Sequence, residues 1–471
     1  MSDTQFDIDT SKLTPANQNP WYILMTLYGE QEGDEIDWDL HEKNRQAWNA
    51  WACFRLDKEE QRIASIFIKE DSQEIYSWAT MSEEYTNLFE KEWVKRNNSR
   101  KIPSILGLNK FFKLNNTIFE KNLCLDKCIF PKPIDTTFSV FRKNVCFNNC
   151  IFLKESNFDS SVFHNEVNSY SARFYGFACF DRSIFKEKVN FTYSKFLRSA
   201  LFSEVIFHNI SGFDYMSFEG PVSFIKSKFL DVADFIDTQF HDKSRFTSAL
   251  FASNYKTSAH FDSCNFKSLV DFRDVEFKFS YPQFDNTTFF DKGSFTASER
   301  LWPKSGTGSA AKARDSCATI RHLLAQQGLP EEAHFFFRRE LRFAGQIGGF
   351  WQRLPYKFYG WLSEYGYSIK RPTLALLLLW LIGSIGLALG LADLTSATTF
   401  TASITPASIV AAALSFSNLF PFFGFTGTYF EPGFLRELPA SLKVLSAAQT
   451  VLSLPLLFFL GLGLRTRFRM R

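Results

Sequence analysis

Sulfur-containing residues and catalytic signatures are scarce in this sequence of 471 residues, which has only 5 Met and 8 Cys. It contains no P-loop, no nucleophile elbow and no HExxH motif, so the common signatures of phosphoryl transfer, acyl transfer and zinc-dependent hydrolysis are missing. Eight cysteines in a chain of this length do not form a disulfide scaffold. We therefore expect reduced thiols and no enzymatic activity.

An apolar leader is also missing, because the first twenty residues contain no hydrophobic stretch. We expect no signal peptide and a cytosolic location for the bulk of the chain. Basic over acidic residues give a balance of −6 for residues 1–116, zero for 117–298 and +9 for 299–471. The basic final third predicts an anionic partner, a membrane surface or nucleic acid. The apolar runs described below favour the membrane, and we expect no nucleic-acid partner.

Phenylalanine is over-represented, with 56 residues in the chain, and it recurs from Phe141 to Phe251 in alternating steps of six and five. A small or β-branched residue stands two positions before nearly every one of them, with Met216 as the exception. Residues i−2 and i share one face of a strand, whereas these steps give no single helical stripe. The 11-residue period, which slips by one residue before Phe261, predicts short strands stacked in a solenoid. The predicted core includes Phe147, Phe158, Phe180, Phe191, Phe202, Phe213, Phe224 and Phe235.

Residues 117–298 resemble the pentapeptide-repeat family, which has Phe at the centre of each repeat and Ala, Ser, Cys or Val two residues earlier. The resemblance implies a right-handed, four-sided β-helix in which both residue types point inward. Alternating steps of five and six then give about 22 residues per coil, hence about eight coils at a strand spacing of ~4.8 Å. Some family members mimic DNA through an acidic surface, but the zero charge balance here favours a rigid spacer or docking post.

Four cysteines follow the same period. Cys124 and Cys146 are 22 residues apart, as are Cys128 and Cys150, so each pair is expected to stack on adjacent coils. A repeated C-x3-C pair is also typical of zinc sites. Cys128 and Cys150 occupy the small inward position of their repeats, however. We therefore expect packing cysteines, no metal and no other cofactor.

Two uncharged stretches near the end of the chain, 372–392 and 444–464, have the length needed to cross a bilayer. Residues 405–427 between them contain a short apolar segment with Thr405 as a helix N-cap and Pro421 as its stop. Basic residues flank the two stretches on their outer sides, which predicts that both flanks are cytoplasmic and that the number of crossings is even. We expect two spans and a re-entrant segment in the bacterial inner membrane, with N-terminus, β-helix and C-terminal tail in the cytoplasm.

Two spans around a re-entrant helix resemble the arrangement of two-helix cation channels, in which backbone carbonyls can replace ion hydration. The TVGYG filter of potassium channels is absent, and no carboxylate lies between Asp393 and Glu431. The alternative interpretation is an interfacial loop packed on the spans and, for the glutamine in the second span, helix packing. The candidate pore or filter residues are Ser415, Asn418, Phe423, Gly424, Phe425, Thr426, Gly427 and Gln449.

Residues 299–371 are predicted to form a helical connector, with one helix over 311–328 and another from Pro330. Residues 350–367 are rich in Trp and Tyr, which is typical of a membrane interface. The order of repeat, helices, aromatic stretch and span resembles bacterial pentapeptide-repeat proteins with a channel-like C-terminal module. Residues expected at the interface are Trp351, Arg353, Trp361, Lys370, Arg371, Arg465, Arg467 and Arg469.

Residues 1–116 are predicted to form a mainly helical cytosolic domain. Its clearest element is an amphipathic helix in which Trp38, Trp48 and Trp51 are expected to be buried. The polar residues Asp37, Asp39 and His41 near the start of this helix are expected to be surface charges rather than metal ligands.

The sequence therefore predicts a mixed fold in four domains, 1–116, 117–298, 299–371 and 372–471. The leading hypothesis is an oligomeric ion channel or pore gated by its cytosolic domains, since two spans and one re-entrant helix cannot enclose a pore alone. The alternative is a membrane-anchored scaffold whose β-helix binds protein partners. The expected partners are the lipid bilayer, further copies of the chain, and an unidentified cytosolic protein or ligand.

Overall fold

The computed structural model describes residues 8–53, 56–67, 74–98, 101–103, 111–253, 259–290, 292–304, 309–397, 407–430 and 432–469. The chain divides into two compact units, Met1–Phe336 and Phe337–Arg471. The division into four domains remains a prediction.

The first unit contains a parallel β-solenoid of about eight turns, built from four sheets of nine, nine, seven and eight strands. Neighbouring strands of a sheet usually lie 22 residues apart, so that Val162 pairs with both Val140 and Ile184. The period read from the sequence is thereby confirmed.

The strands are two or three residues long. The first sheet consists of Thr14–Pro15, Thr117–Phe119, Val140–Phe141, Val162–Phe163, Ile184–Phe185, Ile206–Phe207, Lys228–Phe229, Leu250–Phe251 and Glu276–Phe277. The second consists of Phe112–Lys113, Ile134–Asp135, Ser156–Asn157, Ala178–Cys179, Ala200–Leu201, Val222–Ser223, Ser244–Arg245, Val270–Phe272 and Gly293–Phe295. The third consists of Leu123–Cys124, Val145–Cys146, Val167–Asn168, Val189–Asn190, Ser211–Gly212, Ala233–Asp234 and Ala259–His260. The fourth consists of Ile129–Phe130, Ile151–Phe152, Arg173–Phe174, Lys195–Phe196, Ser217–Phe218, Gln239–Phe240, Asn265–Phe266 and Thr288–Phe289.

The core of the solenoid is made of stacked phenylalanine rings. All eight Phe predicted for the core are at most 5% exposed. The ring of Phe202 stacks on Phe180 at 4.9 Å and on Phe224 at 5.0 Å between centroids, and it meets Phe213 edge-on at 5.9 Å. Burying each ring contributes about 2–3 kcal/mol, so the repeated Phe residues are the main favourable term in the solenoid.

The corners of the coils contain a conformation that the sequence did not predict. A residue other than glycine adopts positive φ every 11 residues from Asn116 to Ser248. Ser160, for example, has φ +57° in a turn that Ser161 closes by donating its N–H to the carbonyl of Phe158 at 3.2 Å. Positive φ costs about 1–2 kcal/mol for residues with a Cβ, and the strand pairing on both sides of each turn holds these residues there.

The small inward position also satisfies a buried carbonyl. The hydroxyl of Ser183 donates to the carbonyl of Phe158 in the previous coil at 2.6 Å, and the thiol of Cys150 donates to that of Leu125 at 2.8 Å. Buried hydroxyls and thiols therefore have acceptors in an otherwise apolar core. This explains why Ser, Thr and Cys share the position with Ala and Val.

The break in the repeat before Phe261 is a loop at one corner. Ala233 pairs with Ala259, which is 26 residues away instead of the usual 22. The extra residues lie between the strands Leu250–Phe251 and Ala259–His260, and 254–258 are outside the described residues. The expectation of a one-residue slip was wrong, because one corner takes up the insertion and the ladders keep their register.

Helices lie at both ends of the solenoid. Those of the first unit are α1 (Pro20–Met25), α2 (Trp38–Cys53), α3 (Lys58–Phe67), α4 (Glu74–Asn97) and α5 (Ala310–Gln326), with 3-10 turns at Thr10–Lys12 and Ala16–Gln18. The indole N–H of Trp48 in α2 donates to the carbonyl of Ile129 at 2.8 Å. At the other end, the amide of Gln327 donates to the carbonyl of Gly293 at 2.9 Å. Gly328 ends this connector helix with φ +74°, as a C-terminal glycine does.

Two of the three tryptophans predicted to be buried in α2 are buried. Trp48 and Trp51 are fully buried and pack against Phe112 of the first coil, with ring centroids at 5.2 and 5.8 Å. Trp38 is 57% exposed, so its predicted burial was wrong. It begins the helix, and at about 100° per residue it lies well away from the stripe that Trp48 and Trp51 share.

The second unit is helical. Its helices are α6 (Pro330–Ala344), which begins in the first unit, α7 (Phe350–Ser363), α8 (Lys370–Ala397), α9 (Ala407–Leu419), α10 (Phe425–Tyr429), α11 (Pro432–Glu437) and α12 (Ala440–Arg469), with a 3-10 turn at Pro421–Phe423.

We predict that Phe202→Ala lowers the free energy of unfolding of the solenoid by about 3–5 kcal/mol, because the ring is fully buried between two stacked neighbours. Chemical denaturation of the detergent-solubilised protein measures the change. Phe290→Ala is the matched control, since Phe290 is 72% exposed and its loss is expected to cost less than about 0.5 kcal/mol. Equal losses in the two variants would contradict the stacking argument.

We also predict that Ser248→Val destabilises the protein by about 1–2 kcal/mol, whereas Ser248→Gly is neutral or mildly stabilising. Ser248 is exposed and has φ +59°, a conformation that a β-branched residue adopts poorly and glycine adopts freely. Thermal melting of the three proteins side by side is the measurement. A valine variant as stable as the parent would show that the turn is not strained.

Candidate functional site

Two helices of the second unit are long and apolar enough to cross a membrane. These stretches are Lys370–Leu391 in α8, with a mean hydropathy of 2.4, and Ala440–Phe468 in α12, with a mean hydropathy of 1.8. Only 17% of each is buried, and side chains such as Leu378 and Ile382 are 59% and 58% exposed. An apolar surface of this extent requires a partner or lipid to cover it.

Helix α9 lies between them in the chain and packs against both. Its 13 residues span about 20 Å at 1.5 Å per residue, less than the ~30 Å of a hydrocarbon core. Ala411 and Leu414 of α9 are buried in one cluster with Leu387 of α8 and Leu442 of α12. The helix ends before Pro421 as predicted, while the predicted N-cap Thr405 lies outside the described residues.

A buried polar network joins the three helices. The side-chain amide of Gln449 in α12 donates to the hydroxyl of Ser415 in α9 at 2.5 Å and accepts from the amide of Asn418 at 3.2 Å. The hydroxyl of Ser415 in turn donates to the carbonyl of Trp380 in α8 at 2.9 Å. Gln449, Ser415 and Asn418 are at most 7% exposed. The structure thus brings three of the predicted pore residues together, within one chain and with their hydrogen bonds made.

Glycines on α8 make room for this network. A Cβ at Gly383 would lie 2.3 Å from Nε2 of Gln449, and one at Gly390 would lie 2.4 Å from a methyl carbon of Leu442. Small residues allow such close helix approach. Sequence reasoning did not single out these glycines, although their seven-residue spacing places them on one side of the helix.

The other five predicted filter residues form a separate, exposed segment. Gly424 has φ +69° and links the 3-10 turn to α10, and a Cβ at Gly427 would meet no atom of the chain. The ring of Phe423 is 68% exposed and stacks on Phe425 at 5.7 Å between centroids. Thr426 lies between them and Gly427 in α10. The positive φ of Gly424 accounts for a glycine there, and Gly427 points to open space.

The residues predicted for a membrane interface are mainly exposed. Trp351 and Trp361 of α7 are 79% and 72% exposed, and an apolar groove of about 740 Å³ runs between α7, α8 and α12. The guanidinium of Arg371 donates to the carbonyl of Gly360 at 3.0 Å and lies 3.8 Å from the carboxylate of Glu364. The remaining basic residues, Arg353, Lys370, Arg465 and Arg467, are exposed, and the side chain of Arg469 is outside the described residues.

A second group of functional side chains lies on the solenoid. Sequence reasoning stacked Cys124 on Cys146, and these residues are register partners in adjacent strands. It did not connect them with Asp126 or with His41 of α2, because no local pattern joins a helix residue to a coil more than eighty positions away.

Comparison of the chain with family models, with curated proteins and with solved structures gave no match. The β-solenoid with its regularly spaced Phe residues is consistent with a pentapeptide repeat.

We predict that Gly383→Ala destabilises the second unit, because its new methyl group would occupy the space of the Gln449 amide. In a Gln449→Ala background the same substitution is expected to cost far less, so the two changes are non-additive. Melting of the purified protein in detergent measures all four members of the cycle. Gly461→Ala in α12 is the control, since a Cβ there meets nothing within 4 Å. Additive effects would contradict the close approach of α8 and α12.

Proposed function

We propose that the chain is an integral protein of the bacterial inner membrane that assembles as a homo-oligomer and conducts ions or small solutes under the control of its cytosolic regions. The observation that carries this proposal is the pair of long, apolar and mostly exposed helices, α8 and α12, on either side of the short helix α9.

Exposed apolar surface supports insertion in lipid. In water, the exposed side chains of α8 and α12 would cost about 25 cal/mol for each Å² left uncovered. The groove between α7, α8 and α12 is lined by apolar residues, including Trp361, Leu378 and Leu452, and is suited to lipid acyl chains. Trp351 and Trp361 would then lie at the interface.

Charge placement supports the orientation. Arg353, Lys370 and Arg371 precede the first span, and Arg465, Arg467 and Arg469 follow the second. Both flanks are therefore proposed to face the cytoplasm, with the solenoid and the C-terminal tail on that side. Helix α9 is too short to cross, so the chain would pass through the bilayer twice.

A pore in this arrangement would lie between copies of the chain. Ser415, Asn418 and Gln449 already satisfy one another within a protomer, which favours helix packing for them and a role in holding α9. Phe423, Gly424, Phe425, Thr426 and Gly427 present exposed backbone and rings instead. We therefore assign the permeation path to this segment, at an interface between protomers.

The solenoid would act as the cytosolic sensor or post. We propose the right-handed, four-sided coil of the pentapeptide-repeat family for it, because four sheets and a 22-residue repeat are what such a coil requires.

The second candidate function is a membrane-anchored scaffold. It is favoured by an exposed aromatic ladder on the solenoid, where Tyr193 and Tyr215 stack at 4.8 Å between centroids and are 50% and 48% exposed. Tyrosines of this kind commonly anchor protein interfaces.

We predict that the purified protein in liposomes gives a trigger-dependent ion flux that Gly424→Val or Gly427→Leu abolishes. The first substitution places a β-branched residue at φ +69°, and the second fills open space beside the exposed rings. Fluorescent flux assays with equal amounts of reconstituted protein are the measurement. Gly461→Leu is the control, since Gly461 lies on α12 away from the segment and has no neighbour within 4 Å.

Insertion is checked separately from flux. Both loss variants are expected to stay in the membrane fraction and to keep the oligomer size of the parent. Intact oligomers that carry no flux under any of several triggers, while still binding a protein through the tyrosine ladder, would favour the scaffold. Release of the chain without detergent would remove both proposals.

A further inference from the structure

Two cysteines and an aspartate converge on the outer surface of the first coils. Cys124 and Cys146 are the second residues of paired strands, and Leu123 and Val145 beside them fill the core. One sulfur from each cysteine and a carboxylate oxygen of Asp126 lie within 4.8 Å of one another. This spacing suits donors that share a single metal ion, since Zn–S distances are about 2.3 Å.

The position of these cysteines is not explained by packing of the core. Cys128 and Cys150, at the inward position, are almost fully buried, as a packing role requires. Cys124 and Cys146 face outward, and the same position in the next two coils is taken by Asn168 and Asn190. An outward thiol pair therefore needs another reason.

A histidine of α2 lies over the same segment. His41 is 5% exposed, and its Nδ1 atom is buried without a hydrogen-bond partner. Burial lowers the pKa of His41, opposed by the carboxylate of Asp126 and by the main-chain oxygens of Cys124 and Asp126. These neighbours place the ring against residues 124–126, so an unpartnered imidazole nitrogen is available beside the three converging ligand atoms.

The aspartate is held in place by its neighbour in the next coil. Asn148 donates its main-chain N–H to one carboxylate oxygen of Asp126 and its side-chain amide to the other, both at 3.1 Å. Metal-binding carboxylates are commonly oriented by hydrogen bonds of this kind. The arrangement thus supplies an oriented ligand together with the thiols.

We propose that Cys124, Cys146 and Asp126 bind one Zn²⁺, and that His41 completes the site after rotation of its side chain. Two thiolates with an imidazole and a carboxylate form a donor set that favours Zn²⁺ over Mg²⁺ or Ca²⁺, which prefer oxygen ligands alone. The ion would tie α2 to the first two coils of the solenoid. Binding would displace the protons of the two thiols to solvent, with no change in oxidation state.

Metal titration of the full-length protein in detergent, under a phosphine reductant and after treatment with a chelator, tests the proposal. We expect one Zn²⁺ per chain. With Co²⁺ as the probe, we expect a thiolate-to-cobalt charge-transfer band and the visible bands of a tetrahedral site. Cys124→Ser and Cys146→Ser are expected to weaken binding by roughly 100-fold or more, and His41→Ala by about 10–100-fold.

Cys179→Ser is the matched control, because Cys179 is also the second residue of a strand and is 8% exposed, but lies in another sheet. It should bind Zn²⁺ as the parent does. Should the ligand variants fail to fold, alkylation of the parent chain gives a second measurement. Bound Zn²⁺ is expected to protect two of the eight cysteines, identified by mass spectrometry as Cys124 and Cys146.

The proposal is overturned if the parent binds no more Zn²⁺ than the Cys124→Ser/Cys146→Ser double variant, or if protection falls on other cysteines. A Co²⁺ spectrum without a thiolate band, or a Cys124–Cys146 disulfide in place of metal uptake, has the same meaning. These results do not depend on ion flux, so the metal site and the proposed channel can fail independently.

Discussion

Parallel pairing between coils one period apart is the interaction on which the rest of the first unit depends. It places each inward Phe directly on the Phe of the previous coil, as for Phe163 on Phe141 with centroids 4.6 Å apart. It brings the hydroxyl of Ser183 to a turn carbonyl of the coil before, and it brings Cys146 beside Cys124. Strained corners with positive φ are held because strands are paired on both sides of them. Each coil thereby fixes the conformation of the next.

The sequence predicted those features that depend on periodicity. The spacing of Phe is enough for the solenoid, its number of turns and its core, since a strand face and a stacking distance follow directly from them. Long uncharged runs and helix-ending residues are enough for α8, α9 and α12. Features that depend on one particular neighbour were missed. Positive φ at Ser160 leaves no mark in composition, and Trp38 could not be told from Trp48 without knowing which face of α2 meets the first coil.

The candidate site divides in the same way. A lone glutamine in an apolar helix marks Gln449 as a residue with a partner, but only the folded chain shows that Ser415 and Asn418 are those partners and that Gly383 makes room for them. Gly424 and Gly427 have no such network within the chain. Their surroundings are set by whatever lies next to an exposed, aromatic surface, and a single chain cannot supply it.

The closed ends of the solenoid have a consequence for how such a chain can vary. Trp48 and Trp51 cover the rings at one end, and α5 lies against the last strands at the other. Neither cap touches the middle coils, so gain or loss of one 22-residue unit would alter the height of the column by a single strand spacing of ~4.8 Å. The column can therefore lengthen or shorten in fixed increments, like a ruler cut only at its graduations, while both of its end fittings remain unchanged.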